Sequence, residues 1–364
     1  MKAPDDVTRV LARAAVSAPR FEPMVIVGAG FAGLAAAAAA REHDVDPLIV
    51  DEGEAVGGAW SRMPPSMPCI SLRFRDRLPD GSYPDGLGDH ATAAQVRDAI
   101  QSYAERSHFR VELGVRVMAA EQDASTVRVR TTAGEISTGH LVVATGEYGC
   151  PRIPRGLSIR FEGAIQHSSE FRASTVLPHE RIVVIGAGNS GAEVALAASA
   201  AGARVTLCSA QPYARPRGEP RGAVWQELAW LGSGIPVAAL PRRGGCRARV
   251  PVAGETLWNA VERGSIALVG RALAIESRVV RLESGEVRAA DRVVLATGFR
   301  RDLEFLGDAI RLDADGLPLH RHGLSRDLAG VAFVGLPCQR TRRSGFLRGF
   351  AADARAVVGR ILTG

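Results

Sequence analysis

The sequence predicts an α/β protein that contains two βαβ units, and two observations support this prediction. A short apolar strand, a glycine-rich turn, an alanine-rich helix and a second apolar strand occur in this order twice in the 364 residues. In both copies the residue that ends the second strand lies 23 positions after the first glycine: Asp51 after Gly28, and Ser209 after Gly186. Such a repeat indicates two parallel-sheet domains, and a chain of this length can bury two cores.

Each element of the two units is predicted from its own pattern of apolar residues and glycines. The first unit comprises the strand Met24–Val27, the turn Gly28–Gly33, the helix Leu34–Glu42 and the strand Leu48–Asp51. The second unit comprises the strand Ile182–Ile185, the turn Gly186–Gly191, the helix Ala192–Ala200 and the strand Val205–Ser209.

A later strand follows each unit and ends in Ala-Thr-Gly, at Thr145-Gly146 and at Thr297-Gly298. Prolines 151 and 154 follow the first of these strands, and residues 299–302 follow the second, so the chain is expected to cross between domains at both places. We therefore predict that residues 172–285 form a domain inserted into a larger one. The predicted larger domain comprises residues 23–171 and 286–364, and residues 1–22 are predicted to form an N-terminal helical extension.

Composition excludes several classes of function. Lys2 is the only lysine, so the formal charge of +6 rests on arginines, which are scattered and do not indicate a nucleic-acid surface. The five cysteines form no C-x-x-C pair and no His/Cys cluster with metal-ligand spacing, which argues against a metal site or a local redox dithiol. No apolar run reaches the roughly 18 residues that a membrane helix needs, and a cytoplasmic location is expected.

The glycine turns indicate dinucleotide binding, because each follows an apolar strand and opens a helix. This placement directs backbone N–H groups and the positive end of the helix at a pyrophosphate. Both domains are therefore predicted to be Rossmann-like. The predicted contacts of the two turns are Gly28, Gly30 and Gly33 in the first, and Gly186, Gly188, Asn189, Ser190 and Gly191 in the second.

The residues that end the second strands predict which cofactor each unit binds. An acid there accepts hydrogen bonds from the adenosine ribose and repels a 2′-phosphate. Asp51 therefore favours FAD in the first unit. Ser209 carries no charge, and Arg215 and Arg217 follow it, so the second unit is predicted to bind NADPH.

Further motifs resemble those of the flavin-containing monooxygenases. Asp51 is followed after five residues by Gly57-Gly58-Ala-Trp60, which is similar to the FAD segment of that family. The run from Phe161 to Phe171 matches its F-x-G-x-x-x-H-x-x-x-Y/F signature, with His167 as the histidine. Phe171 and the Asn189-Ser190 pair resemble the heteroatom-oxidising and YUCCA branch rather than the Baeyer-Villiger enzymes.

The resemblance implies an α/β fold of the FAD/NAD(P)-binding type and a site built around both cofactors. We leave open whether His167 positions the interdomain linker or contacts NADPH. Ser71, His167 and Asn189 are the candidates for a catalytic group, which the sequence does not assign. The predicted cofactor contacts also include Gly58, Trp60, Val117, Thr145, Gly146 and Gly298.

The implied reaction is an NADPH- and O₂-dependent monooxygenation. Hydride would pass to the flavin, O₂ would add at its C4a atom, and the resulting C4a-(hydro)peroxyflavin would oxidise a small molecule with a soft nitrogen or sulfur, or an α-keto acid. The alternative is a flavoprotein reductase that passes electrons to a quinone or a partner protein. A homodimer is compatible with the sequence, which does not decide the oligomeric state.

Overall fold

The structure is a computed structural model, and it describes residues 17–210 and 254–364. The strands of these two ranges, numbered in chain order, are β1 (Ser17–Val27), β2 (Leu48–Asp51), β3 (Pro68–Leu72), β4 (His90–Thr92), β5 (Arg110–Leu113), β6 (Val117–Asp123), β7 (Thr126–Thr131), β8 (Gly134–Val143), β9 (Cys150–Pro151), β10 (Ser158–Phe161), β11 (Ala164–His167), β12 (Arg181–Ile185), β13 (Arg204–Cys208), β14 (Ile266–Val269), β15 (Ala272–Ser277), β16 (Val279–Leu282), β17 (Val287–Ala289), β18 (Arg292–Leu295), β19 (Phe299–Arg300), β20 (His320–Arg321), β21 (Leu324–Ser325) and β22 (Val331–Phe333).

The described ranges contain five α-helices, of which the sequence analysis predicts the two that follow the glycine turns. They are α1 (Phe31–Arg41), α2 (Ala93–Ser107), α3 (Asn189–Ala200), α4 (Gly254–Glu262) and α5 (Leu347–Thr363). The helices α1 and α3 begin directly after Gly30 and Gly188, a few residues earlier than predicted, so the last glycine of each turn lies inside its helix. This confirms that both glycine turns join a strand to a helix.

The larger sheet carries the first glycine turn. Its strand order is β20-β21-β22-β8-β1-β2-β5, and β7 pairs with β8 and with β6. The pairs of β1 with β2 and β8, of β2 with β5 and of β8 with β22 are parallel. One buried cluster joins Met24 and Ile26 of β1, Leu34 of α1 and Val357 of α5, so both helices cover the same face of this sheet.

The second glycine turn lies at a separate sheet of five parallel strands, in the order β11-β18-β12-β13-β14. A four-stranded sheet, β10-β15-β16-β17, packs against it through a cluster that includes Ile185 and Ile275. The strands β11 and β18 therefore belong with the second unit, whereas the predicted boundaries at 172 and 285 assign them to the first. The predicted boundaries leave out these two strands because β11 and β18 pair only across a long sequence separation.

The two predicted crossings lie side by side. The strands β9 and β19 form a two-stranded antiparallel pair in which Pro151 is opposite Phe299 and Cys150 is opposite Arg300. The strand β1 begins at Ser17 and pairs with β8 from there to Val27. The predicted helical extension therefore does not reach residue 22, and residues 1–16 lie outside the described ranges.

Candidate active site: two dinucleotide cradles

The first glycine turn forms a cradle that no side chain fills. A Cβ atom added at Gly33 would lie 1.8 Å from the carbonyl oxygen of Gly28, and one added at Gly28 would lie 2.5 Å from the carbonyl oxygen of Ala144. Gly30 is the N-cap of α1 and contributes no side-chain cap. The N-terminal N–H groups of α1 thus lack a side-chain acceptor from their cap and suit an anionic ligand.

The second turn repeats this geometry in detail. A Cβ atom added at Gly191 would lie 1.8 Å from the carbonyl oxygen of Gly186, and one at Gly186 would lie 2.3 Å from that of Ala296. Gly188 caps α3 without a side-chain hydrogen bond, and Asn189 and Ser190 form the first turn of the helix. In both units the alanine of the Ala-Thr-Gly motif therefore packs against the first glycine.

The residues at the ends of the second strands differ in charge as the sequence indicates. Asp51 ends β2, and its carboxylate accepts hydrogen bonds from the backbone N–H groups of Ala29 at 2.6 Å and Gly53 at 2.7 Å. A carboxylate has about four acceptor positions, so this one retains capacity for a ribose hydroxyl. Ser209 follows β13 and donates its backbone N–H to Val269. Arg215 and Arg217, predicted to read the 2′-phosphate, lie outside the described residues.

Val117 and Glu52 lie near Asp51. The backbone N–H of Val115 donates to the Asp51 carbonyl oxygen at 2.9 Å, and Val117 begins β6 two residues later with a buried side chain. Glu52 forms an ion pair with Arg116 at 3.6 Å. Glu52 therefore has a partner of its own, as expected if Asp51 is the residue that faces the ribose.

The segment that carries Gly57, Gly58 and Trp60 lies directly on the first cradle. The N–H of Gly57 donates to the Ala29 carbonyl oxygen at 3.0 Å, and a Cβ atom at Gly58 would lie 3.2 Å from the Cα atom of Gly30. Both glycines have positive φ angles, of 133° and 56°. Trp60 is half-buried and packs against the core that α1 and α5 share.

His167 joins the end of β11 to the second Ala-Thr-Gly motif. Its Nε2 atom lies 3.1 Å from the carbonyl oxygen of Gly298, which can only accept, so the ring donates there. Its Nδ1 atom accepts from the backbone N–H of Ser169 at 3.3 Å. Burial lowers the pKa of His167 and favours the neutral ring, and Phe299 packs edge-on with ring centroids 4.7 Å apart.

The threonine of each Ala-Thr-Gly motif donates a hydrogen bond to the crossing that follows the other motif. Thr145 donates from Oγ1 to the carbonyl oxygen of Asp302 at 3.1 Å, and Thr297 donates to the carbonyl oxygen of Arg152. Gly146 and Gly298 follow with φ angles of 73° and 81°. The hydroxyl of Thr145 is thus bonded to the second crossing, a role that the sequence does not reveal.

The candidate Ser71 has a partner that sequence reasoning missed. Its Oγ atom donates to Oδ1 of Asp76 at 2.5 Å, and Asp76 is 1% exposed. Asp76 lies in the run Arg73-Phe-Arg-Asp-Arg77, whose alternating charges are typical of a solvated loop, so nothing in the sequence indicates a buried acid. Ser71 and His167 belong to separate hydrogen-bonded clusters.

Three of the four cysteines in the described ranges are free thiols. Cys69, Cys150 and Cys208 are free, and burial raises the pKa of Cys69 and of Cys208 to about 12. Cys338 is disulfide-bonded, a pairing that the sequence analysis does not anticipate.

Within residues 17–210 and 254–364, no group of three or more His, Cys, Asp and Glu side chains could hold a metal ion. Over the same residues, no helix combines the length and the apolar character that a membrane span requires.

Known proteins with similar sequences and folds include flavin monooxygenases. The indole-3-pyruvate monooxygenase YUCCA1 of Oryza sativa subsp. japonica is 27% identical over 321 residues, which cover 78% of this chain and 79% of the relative. The flavin-containing monooxygenase from Stenotrophomonas maltophilia superposes with a TM-score of 0.75 at 22% identity, over 94% of this chain and 98% of that one. The bacillithiol disulfide reductase from Bacillus cereus superposes with a TM-score of 0.71 at 19% identity, over 94% and 99%.

At these identities the solved structures show a shared fold, and together with the monooxygenase relative they agree with the resemblance that the motifs indicate. The family model described as pyridine nucleotide-disulphide oxidoreductase matches residues 25–224, which is more than half of the chain. This match includes both glycine cradles. The chain is therefore an oxidoreductase that belongs to the pyridine nucleotide-disulphide oxidoreductase family.

Proposed function

We propose that the chain is an NADPH- and O₂-dependent flavin monooxygenase that holds FAD in the first cradle and NADPH in the second. The observation that carries this proposal is the pair of cradles with matching geometry and different strand-end residues, Asp51 and Ser209. Two dinucleotides of different ribose chemistry account for this difference. A cytoplasmic location and a homodimeric assembly stay predictions.

The residues of the first cradle fit FAD. The space that a Cβ atom would need at Gly28 and Gly33 is taken by backbone, so the turn stays narrow and its N–H groups stay accessible. Asp51 has acceptor capacity for the ribose. Gly58 extends the cradle toward Trp60, where the rest of the flavin chain would follow.

The residues of the second cradle fit a pyridine nucleotide. Ser209 leaves the ribose end without a negative side chain of its own, which allows a 2′-phosphate to approach. Arg215 and Arg217 would pair with that phosphate. The segment from β10 to β18 would act as the NADPH domain, inserted into the FAD domain at the β9–β19 pair.

The bound flavin would supply the redox chemistry, since it accepts hydride from NADPH and activates O₂. The residues of this chain bind and orient. Thr145, Thr297 and His167 hold the crossings at which the two units meet, and these bonds would orient the two proposed cofactor sites relative to each other. Trp60 and the core behind it would limit access of water.

The proposed substrate class rests on the resemblance to the heteroatom-oxidising and YUCCA branch. A monooxygenase of this type needs few acid or base groups of its own, and a soft nitrogen or sulfur, or an α-keto acid, is the proposed acceptor. The absence of a C-x-x-C pair from the sequence argues against exchange with a dithiol substrate, although the fold is shared with a disulfide reductase.

The test is stopped-flow reoxidation. Protein that NADPH has reduced without oxygen is mixed with oxygenated buffer, with NADP⁺ still present. We expect a transient absorbance band that neither reduced nor oxidised flavin explains, and, with an accepted amine, sulfide or keto acid, one oxygenated product for each NADPH consumed. The matched control is the same experiment with dithionite as the reductant and no NADP⁺, in which the band should decay faster.

The alternative has a different outcome in this experiment. A reductase that feeds a quinone or a partner protein should reoxidise in one phase and release all electrons as hydrogen peroxide with every candidate substrate. Rapid reoxidation of the reduced protein by a soluble quinone would then indicate that quinones are the class of its electron acceptor.

A further inference from the structure

A buried carboxyl group that neither cradle uses lies at Asp76, four residues after β3. Its Oδ1 atom accepts the hydroxyl hydrogen of Ser71 at 2.5 Å, and the residue is 1% exposed. Its Oδ2 atom is buried and has no hydrogen-bond partner among the described residues. An ionised carboxylate with one bare buried oxygen is costly, whereas burying the neutral carboxylic acid costs much less.

The charged and titratable groups around Asp76 come from three elements of the described structure. Arg348 in the first turn of α5 and His90 at the start of β4 lower its pKa, as does the Ser71 hydrogen bond. Burial acts in the opposite direction and is the larger effect, so the pKa of Asp76 rises to about 6. Cys69 of β3 stays a thiol, because burial and the Asp76 charge raise its pKa to about 12.

The hydroxyl of Ser71 bonds Asp76, and because the residue as a whole is half-buried, a second hydrogen-bond partner could reach it. When Asp76 is ionised, it can only accept, and Ser71 must give it the hydroxyl hydrogen and offer lone pairs to a neighbour. When Asp76 is protonated, it can donate to Ser71 Oγ, and the hydroxyl hydrogen becomes free for a neighbour.

The pair lies close to the first cradle. The strand β3 begins seven residues after Ser61, the end of the short helix that carries Gly58 and Trp60. Cys69 belongs to the same buried cluster as Ala29 of the glycine turn and as Leu347, the neighbour of Arg348, and Trp60 packs against this cluster. A dinucleotide with its pyrophosphate at Gly30 and its adenosine at Asp51 would extend its other half in this direction.

We propose that Asp76 is a positioning residue that sets whether Ser71 acts as a hydrogen-bond donor or acceptor toward the bound flavin. This inference rests on the proposed FAD site and assigns to Asp76 a role that the sequence does not suggest. Ser71 would donate to the flavin while Asp76 holds its proton, and would stop donating once Asp76 ionises. The switch needs no movement of the backbone, only a rotation of one hydroxyl group.

The test uses the oxidised full-length holoprotein without NADPH or substrate. Carbon-13 NMR of protein labelled at the aspartate carboxyl carbons measures the titration, and the flavin absorbance spectrum is recorded over the same pH range. We expect one carboxyl to titrate near pH 6 and the flavin spectrum to shift with the same midpoint. Asp76→Asn should remove both signals. Asp80→Asn, which removes an aspartate that pairs with Ser82 and Arg106, should retain them.

Ser71→Ala separates the two parts of the proposal without removing the acid. The Asp76 carboxyl should still titrate, at a higher pH because the Ser71 hydrogen bond that lowers its pKa is gone. The flavin spectrum should no longer follow that titration. A spectral shift that persists in Ser71→Ala, or the absence of any aspartate that titrates near pH 6, would overturn the proposal. Neither readout involves oxygen transfer, so a protein that binds FAD and fails to oxygenate substrates contradicts only the proposed function.

Discussion

The imidazole of His167 donates a hydrogen bond to the carbonyl oxygen of Gly298, which lies 131 positions further along the chain. This bond joins the last strand before the second βαβ unit to the turn that follows that unit's final strand. Phe299, one residue later, packs against the same ring and pairs with Pro151 in the crossing. One side chain thus connects the signature motif, the second cradle and the crossing.

Replacing His167 should therefore lower the free energy of unfolding. His167→Ala removes the ring hydrogen bonds to Gly298 and Ser169 together with the packing against Phe299, a loss of about 1 to 3 kcal/mol in the free energy of unfolding. His167→Gln can still donate to Gly298 and should lose less. Urea unfolding at pH 7.5 measures both, and equal stability of His167→Ala and wild type would contradict the bracing role.

One methyl group added to each glycine turn should disable the two proposed cofactor sites independently of each other. Gly33→Ala places a Cβ atom 1.8 Å from the Gly28 carbonyl oxygen and should abolish FAD retention, measured as flavin per protein after gel filtration. Gly191→Ala makes the equivalent clash with Gly186 and should abolish reduction by NADPH while FAD stays bound. Gly270→Ala is the control, because a Cβ atom there meets nothing within 4 Å. If Gly191→Ala lost FAD and kept NADPH, the cofactor assignment would be reversed.

Removing the strand-end acid should weaken FAD binding in particular. Asp51→Ala removes the proposed ribose acceptor together with two backbone contacts, at a cost of about 1 to 3 kcal/mol in FAD binding. Glu52→Ala removes a neighbouring acid that pairs with Arg116 and should leave FAD affinity unchanged. Fluorescence titration of the apoprotein compares the two variants. A larger loss in Glu52→Ala would transfer the ribose contact to Glu52.

Introducing an acid at the second strand end should change the choice of coenzyme. Ser209→Asp places a carboxylate where the 2′-phosphate would lie, so it should raise the KM for NADPH strongly and the KM for NADH little. Ser209→Ala is the uncharged control. Initial rates of flavin reduction measure the ratio, and an unchanged ratio in Ser209→Asp would show that this position does not read the ribose.

Asp76 should make stability depend on pH in a direction that is unusual for an acid. Its pKa in the folded protein is about 6 and its ordinary value is 3.8, so the native state binds more protons than the unfolded state between these values. Its contribution to stability is therefore present at low pH and is lost as the pH rises through 6. Between pH 4 and pH 7.5, Asp76→Asn should gain about 2 to 3 kcal/mol relative to wild type. Urea unfolding at both values tests this, and a constant difference would contradict the raised pKa.

The sequence predicts the parts of the fold that depend on local patterns. The strand Leu48–Asp51 is confirmed with the predicted ends, and both glycine turns lead from a strand into a helix as expected. The predicted boundary at 172 leaves β11 outside the second unit, because Ala164–His167 has no continuous apolar run that would identify a strand. It is a strand only because Arg292–Leu295, distant in sequence, supplies its hydrogen bonds.

The features of the candidate site also differ in whether the sequence can predict them. Backbone geometry at Gly28 and Gly186 is predictable, because only glycine fits where a carbonyl oxygen lies so close. Asp76 is not predictable, because its burial depends on tertiary packing near Arg348, and its neighbours in the sequence are exposed arginines. Local chemistry can be read from the order of residues, whereas the environment of a charge requires the packed structure.

The antiparallel pair of β9 and β19 brings the start and the end of one long contiguous segment to the same place. Neighbouring strands lie only about 5 Å apart, so a turn of a few residues could close the gap if that segment were removed. A gene fragment that encodes the segment could then be exchanged with that of a relative at two adjacent cut points, without threading the chain through the sheet that carries the first glycine turn. Such chimeras would let the two βαβ units be recombined as separate modules.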